Sequence, residues 1–308
     1  MSEEERASAN IVAIDIIKEI AEDNRRATYD EQALLARYTG WGAPKLKEFF
    51  SDYSFGSASP YDQRMKARRD SLRGLLTDEE WSRMRESILN AHYTFDLYRE
   101  MYEALQHHGF EGGNVLEPAV GSGHAFGLMP AQMMKNSRLT GVEIDPITAQ
   151  IASALYPNAD IQQTGYEESL IASNTQDLAI SNVPFGEFSV ADQKMPSAIT
   201  KSIHNYFFGK ALSHVRPGGL VMFVTSRYTM DAPTAADMRH WLMDRAEFLG
   251  AVRLPKNAFG KTAKTAVVTD LVVLRKLREG EVSKNRTAFT DTHSVSYTHL
   301  TLPTNREV

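Results

Sequence analysis

The chain has 308 residues, 42% of them hydrophobic and 24% charged, a balance that suits a folded protein with one large α/β domain and an accessory segment. It contains no cysteine, so disulfides, cysteine-ligated zinc and a cysteine nucleophile are excluded, and a reducing cytoplasm is the expected location. The net charge of −5 lacks the basic excess of a stand-alone nucleic-acid binder; the acidic amino terminus does not read as an export signal, and no apolar run approaches the roughly 20 residues of a membrane span.

Residues 8–24 place Ile11, Ile14, Ile17 and Ile20 at helical spacing, with Asp15, Lys18, Glu19 and Glu22 outside the stripe, and predict an amphipathic helix. A short helix is expected over 29–38, ending in Gly40-Trp41-Gly42-Ala43-Pro44. Trp41 there reads as the plug of a small subdomain or, as a second reading, as a base-stacking residue. The basic run Arg64, Lys66, Arg68, Arg69 and Arg73 reads as a solvated helix face, with a phosphate-contacting edge as the alternative. Thr77-Asp78-Glu79-Glu80 is a capping box for a helix through Ile88-Leu89; after a break at 90–94 another helix runs from Asp96 to about His107. His107 and His108 have no third ligand at a suitable spacing, so no metal site is expected.

From Gly113 onward, strands and helices alternate. Strands are predicted at 114–118, 139–144, 160–163, 177–182, 219–225, 248–254 and 269–276, which implies a doubly wound, Rossmann-like α/β sheet of seven strands. The last two are joined by too little chain for a helical crossover, so one antiparallel strand is expected in an otherwise parallel sheet.

Two places concentrate chemistry. The first strand runs into Glu117-Pro118-Ala119-Val120-Gly121-Ser122-Gly123, a turn in which glycines permit close approach of backbone to a ligand; a third glycine, Gly127, comes one residue late for the dinucleotide pattern. Twenty residues past Gly123 the second strand delivers Glu143, where a carboxylate takes both ribose hydroxyls of an adenosine. Glu117 would repel a pyrophosphate but could hold a cationic amino-acid group, so the expected ligand is an adenosine carrying positive charge, and a dehydrogenase is disfavoured. The other place is Asn182-Val183-Pro184-Phe185, following the apolar strand Asp177-Leu178-Ala179-Ile180-Ser181 at the strand edge where ligands bind in such sheets. An amide, a carbonyl, a rigid turn and an aromatic face together suit a planar amine.

The series Glu-Pro-Ala-x-Gly-x-Gly, Gly141-Val142-Glu143-Ile144-Asp145, Asn-x-Pro-Phe and Arg216-Pro217-Gly218-Gly219-Leu220 resembles the class I S-adenosylmethionine-dependent methyltransferases that modify adenine N6 in DNA. With Asn90-Ala91-His92-Tyr93-Thr94, Arg253-Leu254-Pro255-Lys256-Asn257-Ala258-Phe259 and Tyr38-Thr39-Gly40-Trp41-Gly42, it is similar to the methylase part of large helicase-methylase proteins of phages and mobile elements, over residues 30–277. The resemblance implies S-adenosylmethionine as cofactor, contacted by Tyr93, Thr94, Glu117, Pro118, Ala119, Gly121, Gly123, Glu143, Ile144 and Glu167. It implies a catalytic set of Asn182, Val183, Pro184 and Phe185, in which the Asn182 side chain and the residue-183 carbonyl accept the amine hydrogens and Phe185 stacks on a flipped base.

The family's tetrapeptide has proline where Val183 stands, a substitution expected to loosen the turn while keeping the carbonyl. Methylation of a protein glutamine or of cytosine N4, and a degenerate module that binds cofactor or DNA without turnover, are the alternatives. The domains expected are a helical segment over 1–110, a methyltransferase domain over 111–278 and a disordered tail over 279–308. Residues 296–308 read as non-native sequence closing a truncated chain. DNA is the expected partner, bound weakly without a target-recognition part, and a helicase region is expected in the same full-length polypeptide; no membrane or metal partner is expected.

Overall fold

Ser2 and Glu5 exchange backbone and side-chain hydrogen bonds in a capping box, so helix α1 spans Glu3–Glu22 and begins one turn earlier than the isoleucine spacing alone predicts. The computed structural model describes residues 1–51, 59–87, 95–186, 188–255 and 268–291. Thr28 and Glu31 repeat the device at α2 (Tyr29–Leu35); α3 (Pro44–Lys47) and α4 (Pro60–Leu75) follow, and the predicted Thr77–Glu80 box opens α5 (Asp78–Ser87). Ile88 and Leu89, its expected end, lie outside the described residues. After α6 (Phe95–His107) come β1 (Asn114–Glu117), α7 (His124–Gly127), α8 (Ala131–Lys135), β2 (Arg138–Glu143), α9 (Pro146–Leu155), β3 (Asp160–Gln163), β4 (Gln176–Asn182), α10 (Ser197–Thr200), α11 (Ile203–His214), β5 (Val215–Ser226), α12 (Tyr228–Asp231), α13 (Ala236–Met243), β6 (Ala246–Arg253), β7 (Thr269–Lys276) and α14 (Arg286–Thr290).

The strands form one seven-stranded sheet in the order β3-β2-β1-β4-β5-β7-β6. β2 pairs parallel with β3 and β4 with β5, whereas β7 runs antiparallel to both β5 and β6; it is the antiparallel strand that the short final connection predicts. Among the described residues no helix is long and apolar enough to cross a membrane, and no group of three His, Asp or Glu side chains could hold a metal ion.

The chain divides into two compact units, one built on Met1–Gly112 and Leu116–Leu170, the other on Gly113–Val115, Ile171–Ala258 and the closing strand and helix. The boundary expected at residue 110 is therefore not a simple one, because Ile147 and Ile151 of α9 belong to the same apolar core as Ile14, Ile17, Leu35 and Leu46 of the N-terminal helices. In that core Trp41 is 2% exposed and packs against Phe49 and Phe50, with ring centroids 5.3 and 5.6 Å away. It is a plug, and the base-stacking reading is excluded by its burial.

The basic run on α4 is committed internally. Arg64 pairs with Glu4, Arg68 bonds the Ser8 hydroxyl, Lys66 pairs with Asp70, Arg69 donates to the Phe49 and Ser51 carbonyls, and Arg73 holds the Leu76 carbonyl and Asp78. A phosphate-contacting edge here would have to break those contacts.

In the second unit the expectation of disorder from residue 279 fails for the described part of the tail. Glu247 accepts the Lys284 and Asn285 backbone N–H groups at 2.7 and 2.9 Å, Arg286 pairs with Asp244, and Phe289 of α14, 1% exposed, lies 4.9 Å from the Phe248 ring. One well-placed aromatic and an acid accepting two amides hold a segment whose apolar spacing is too sparse to show a period. Residues 292–308 lie outside the described ones.

Candidate functional site

In the first unit, β1 ends in Glu117, whose carboxyl is fully buried and accepts the Tyr98 hydroxyl at 3.3 Å. Tyr102, one turn further along α6, is buried too, and its hydroxyl is pushed well up by burial and then by the Glu117 charge. Tyr93 and Thr94, expected just before α6, lie outside the described residues. Pro118 and Ala119 begin the turn, and the Val120 N–H donates to the Val142 carbonyl at 2.9 Å, fastening the loop to β2. Gly121 has φ +55° with open space where a Cβ would stand. Gly123 has φ +87°, and a Cβ there would strike the Tyr156 ring; a Cβ on Gly127 would meet the Tyr156 hydroxyl at 2.6 Å. The late third glycine thus follows from one tyrosine lying along both positions. His124, partly buried at the start of α7, has its pKa pushed down to about 4 by desolvation and stays neutral at pH 7.

Glu143 is tied to the glycine turn directly. One carboxylate oxygen accepts the Gly121 N–H at 3.0 Å and the other the Asp145 N–H at 2.8 Å. Burial pushes its pKa up to about 7 against those amide bonds, with the Asp145 charge adding to the rise. Asp145 is the N-cap of α9, accepting the Thr148 N–H and hydroxyl at 2.8 and 2.7 Å, and its own pKa is raised by burial. Tyr38, from the end of the second N-terminal helix, is fully buried beside Asp145 and Thr148, its pKa raised by that burial and then by Asp145. Ile144 is 61% exposed, an apolar side chain held outward at the end of β2. Glu167 is exposed on the turn Tyr166–Glu168 after β3. The fold brings Gly121 and Glu143 into contact, with Asp145 and Tyr38 behind them; the latter two were not among the expected site residues, although Asp145-Pro146 is a legible helix start.

In the second unit, β4 ends at Asn182, opposite Val224 of β5 in parallel register. The Val183 N–H donates to the Val224 carbonyl at 3.1 Å, and the Val183 side chain is 1% exposed. The expected loosening of the turn is not what the geometry holds: a proline has no N–H to give, and here that hydrogen bond and a buried side chain fix residue 183 instead. Among the described residues its carbonyl accepts no hydrogen bond. Pro184 and Phe185 are partly buried; a Cβ on Gly186 would meet the ring of half-exposed Phe188. The chain beyond is pinned where buried Asp192 accepts the Tyr206 hydroxyl at 2.6 Å and the Lys210 ammonium at 3.0 Å.

No protein-family profile matches the chain. Over 179 residues, 57% of this chain, it is 28% identical to the defense against restriction protein B of Escherichia phage P1, of which the match spans 8%. Among solved structures it is similar to a methyltransferase subunit of a type I restriction-modification system from Streptococcus thermophilus, with a TM-score of 0.52 at 14% identity over 87% of this chain and 66% of that one. A Listeria monocytogenes protein assigned to the class I S-adenosylmethionine-dependent methyltransferases gives 0.51 at 13% identity over 91% and 90%. The chain has the class I methyltransferase fold. Within that methyltransferase fold β7 is the inserted antiparallel strand, the Gly121 turn follows β1, and the Asn182 turn follows β4.

The first unit's residues fit a positively charged adenosine ligand. A buried carboxyl stands before the turn, Gly121 leaves room for a close approach, and Glu143 offers acceptor oxygens below it.

Proposed function

We propose that the chain transfers a methyl group from S-adenosylmethionine to the N6 amino group of adenine in DNA. The observation that carries this reading is the Asn182–Val183 turn, in which a strand-end amide stands beside a backbone carbonyl that is fixed by the Val183–Val224 hydrogen bond and engaged by nothing among the described residues. Two such acceptors on the hydrogens of an exocyclic amine draw its lone pair out of the ring and toward the incoming carbon. The amine nitrogen gains the methyl carbon as the bond from that carbon to the sulfonium sulfur breaks and leaves a neutral thioether; the nitrogen gives one proton to water, nothing becomes attached to the protein, and Phe185 supplies the face on which an extruded base stacks. S-adenosylmethionine, when bound, supplies the electrophilic methyl group; Glu117 would hold its amino-acid end, Gly121 and Gly123 its backbone contacts, and Glu143 and Ile144 its ribose and base, with Glu167 and Tyr93-Thr94 as further contacts.

DNA is the proposed substrate, and a target-recognition part and a helicase region in a longer polypeptide are the proposed partners; the much greater length of the phage P1 relative supports a longer polypeptide and does not bear on what the rest of it contains. The test is transfer of label from S-adenosylmethionine to DNA followed by nucleoside analysis. N6-methyl-2′-deoxyadenosine is expected. Label in cytosine N4 or in a glutamine-containing peptide would replace the substrate, and cofactor binding with no transfer to any of them would make the chain a binding module.

A further inference from the structure

We infer that Arg227 and Tyr228, at the carboxyl end of β5, form a stacking platform for an unpaired nucleotide beside the target base. The inference rests on the proposed reading and adds to it a second nucleotide contact. Because β5 runs parallel to β4 with Val224 opposite Asn182, the pair follows the end of the strand next to the Asn182 turn, three to four residues past Val224. Tyr228 is 49% exposed, and the Arg227 guanidinium sits 5.2 Å from its ring centroid. Arg227 forms no ion pair among the described residues, although its charge works against the burial that raises the Asp270 carboxyl's pKa.

The turn that carries this exposed pair is braced from beneath to a degree that a surface turn does not need. The Arg227 N–H donates to the Val268 carbonyl at 3.1 Å, and the Thr225 and Thr229 hydroxyls share a hydrogen bond of 2.8 Å. Arg239, 1% exposed, donates to the Thr229 and Ala232 carbonyls at 3.1 and 3.0 Å, while Asp231 pairs with Arg253 at 2.8 Å. Arg239 makes no ion pair among the described residues, and only the charge of Asp231 offsets the cost of burying its guanidinium under that turn. A rigid aromatic face with a cation laid against it is the combination that stacks an unpaired base and meets its phosphate.

The experiment is fluorescence anisotropy with a labelled mixed-sequence DNA single strand of about 15 nucleotides, titrated with the whole chain and its variants at several salt concentrations. Tyr228→Ala is expected to weaken binding about tenfold and Tyr228→Phe to bind like the unaltered chain, since the ring and not the hydroxyl stacks. Arg227→Ala is expected to flatten the salt dependence by about 0.7 in log–log slope, one phosphate on a single strand. Cofactor affinity and melting temperature should hold in all three. Unchanged binding by Tyr228→Ala, or equal loss in Tyr228→Phe, overturns the platform, as does an unaltered chain that ignores the strand but binds a glutamine-containing peptide. If the unaltered chain methylates DNA while Tyr228→Ala keeps its KM for DNA, the platform is wrong and the proposed function stands. If it transfers no methyl group to DNA yet Tyr228→Ala loses strand binding, the platform stands and the reaction does not.

Discussion

Glu143 offers a test that reads the cofactor half without needing turnover. Burial raises its pKa from the ordinary 4.5 to about 7, a penalty of about 3 kcal/mol on the charged form. Its contribution to stability is accordingly present below about pH 4.5 and lost as the pH rises through about 7. Ribose hydroxyls donate to the ionised carboxylate, so a ligand that uses them must first displace the proton. Affinity for S-adenosylmethionine should therefore be level above pH 7 and fall about tenfold for each pH unit below it. Calorimetry in two buffers of different ionisation enthalpy should show close to one proton released on binding at pH 6 and almost none at pH 8. Glu143→Gln should abolish the pH dependence, weaken binding by about 1–3 kcal/mol and melt later than the unaltered chain at pH 8. An unaltered chain whose affinity is flat from pH 6 to pH 8, or a Gln variant that binds normally, would refute the assignment of Glu143 to the ribose.

Asn182→Ala should reduce methyl transfer by roughly 3 kcal/mol or more in activation free energy while leaving cofactor affinity within a few fold, as measured by label transfer and calorimetry side by side. Gly123→Ala meets both a positive φ and the Tyr156 ring; a loss of about 2–3 kcal/mol in thermal or urea unfolding is expected, partly relieved by Tyr156→Ala, and a neutral result would mean that the turn can relax. Phe289→Ala should cost about 3 kcal/mol by urea unfolding, because α14 is anchored on Phe248, whereas a disordered tail would show no change.

The sheet was legible because its strands are short apolar runs bounded by Gly, Pro and charged residues; Asp160–Gln163 and Thr269–Lys276 fall at their predicted ends. Helix ends were less so. The isoleucine period marks the buried face of α1 but not where its first turn begins, which Ser2 and Glu5 decide. Spacing put Glu143 at the end of the second strand, where β2 ends, yet gave no sign that both its oxygens accept loop amides, since those bonds join residues 22 and 2 positions away. Tyr38 could not be read as a neighbour of Asp145, because that proximity depends on how the N-terminal helices pack on α9. Val183 misled for a related reason: sequence shows a missing proline, and only the β5 carbonyl opposite shows what takes its place.

α9 also has a consequence for how the first unit opens. Its amino-terminal turn is capped by Asp145, behind Glu143, while Ile147 and Ile151 on the same helix complete the apolar core of α1 and α2. Unravelling α9 would at once uncover that core and release the loop amides from the carboxylate. Hydrogen exchange in the glycine turn and in the buried face of α1 should then report one opening event with a common free energy, and a ligand seated at Glu143 would slow exchange at Ile14 and Ile17, which it never touches.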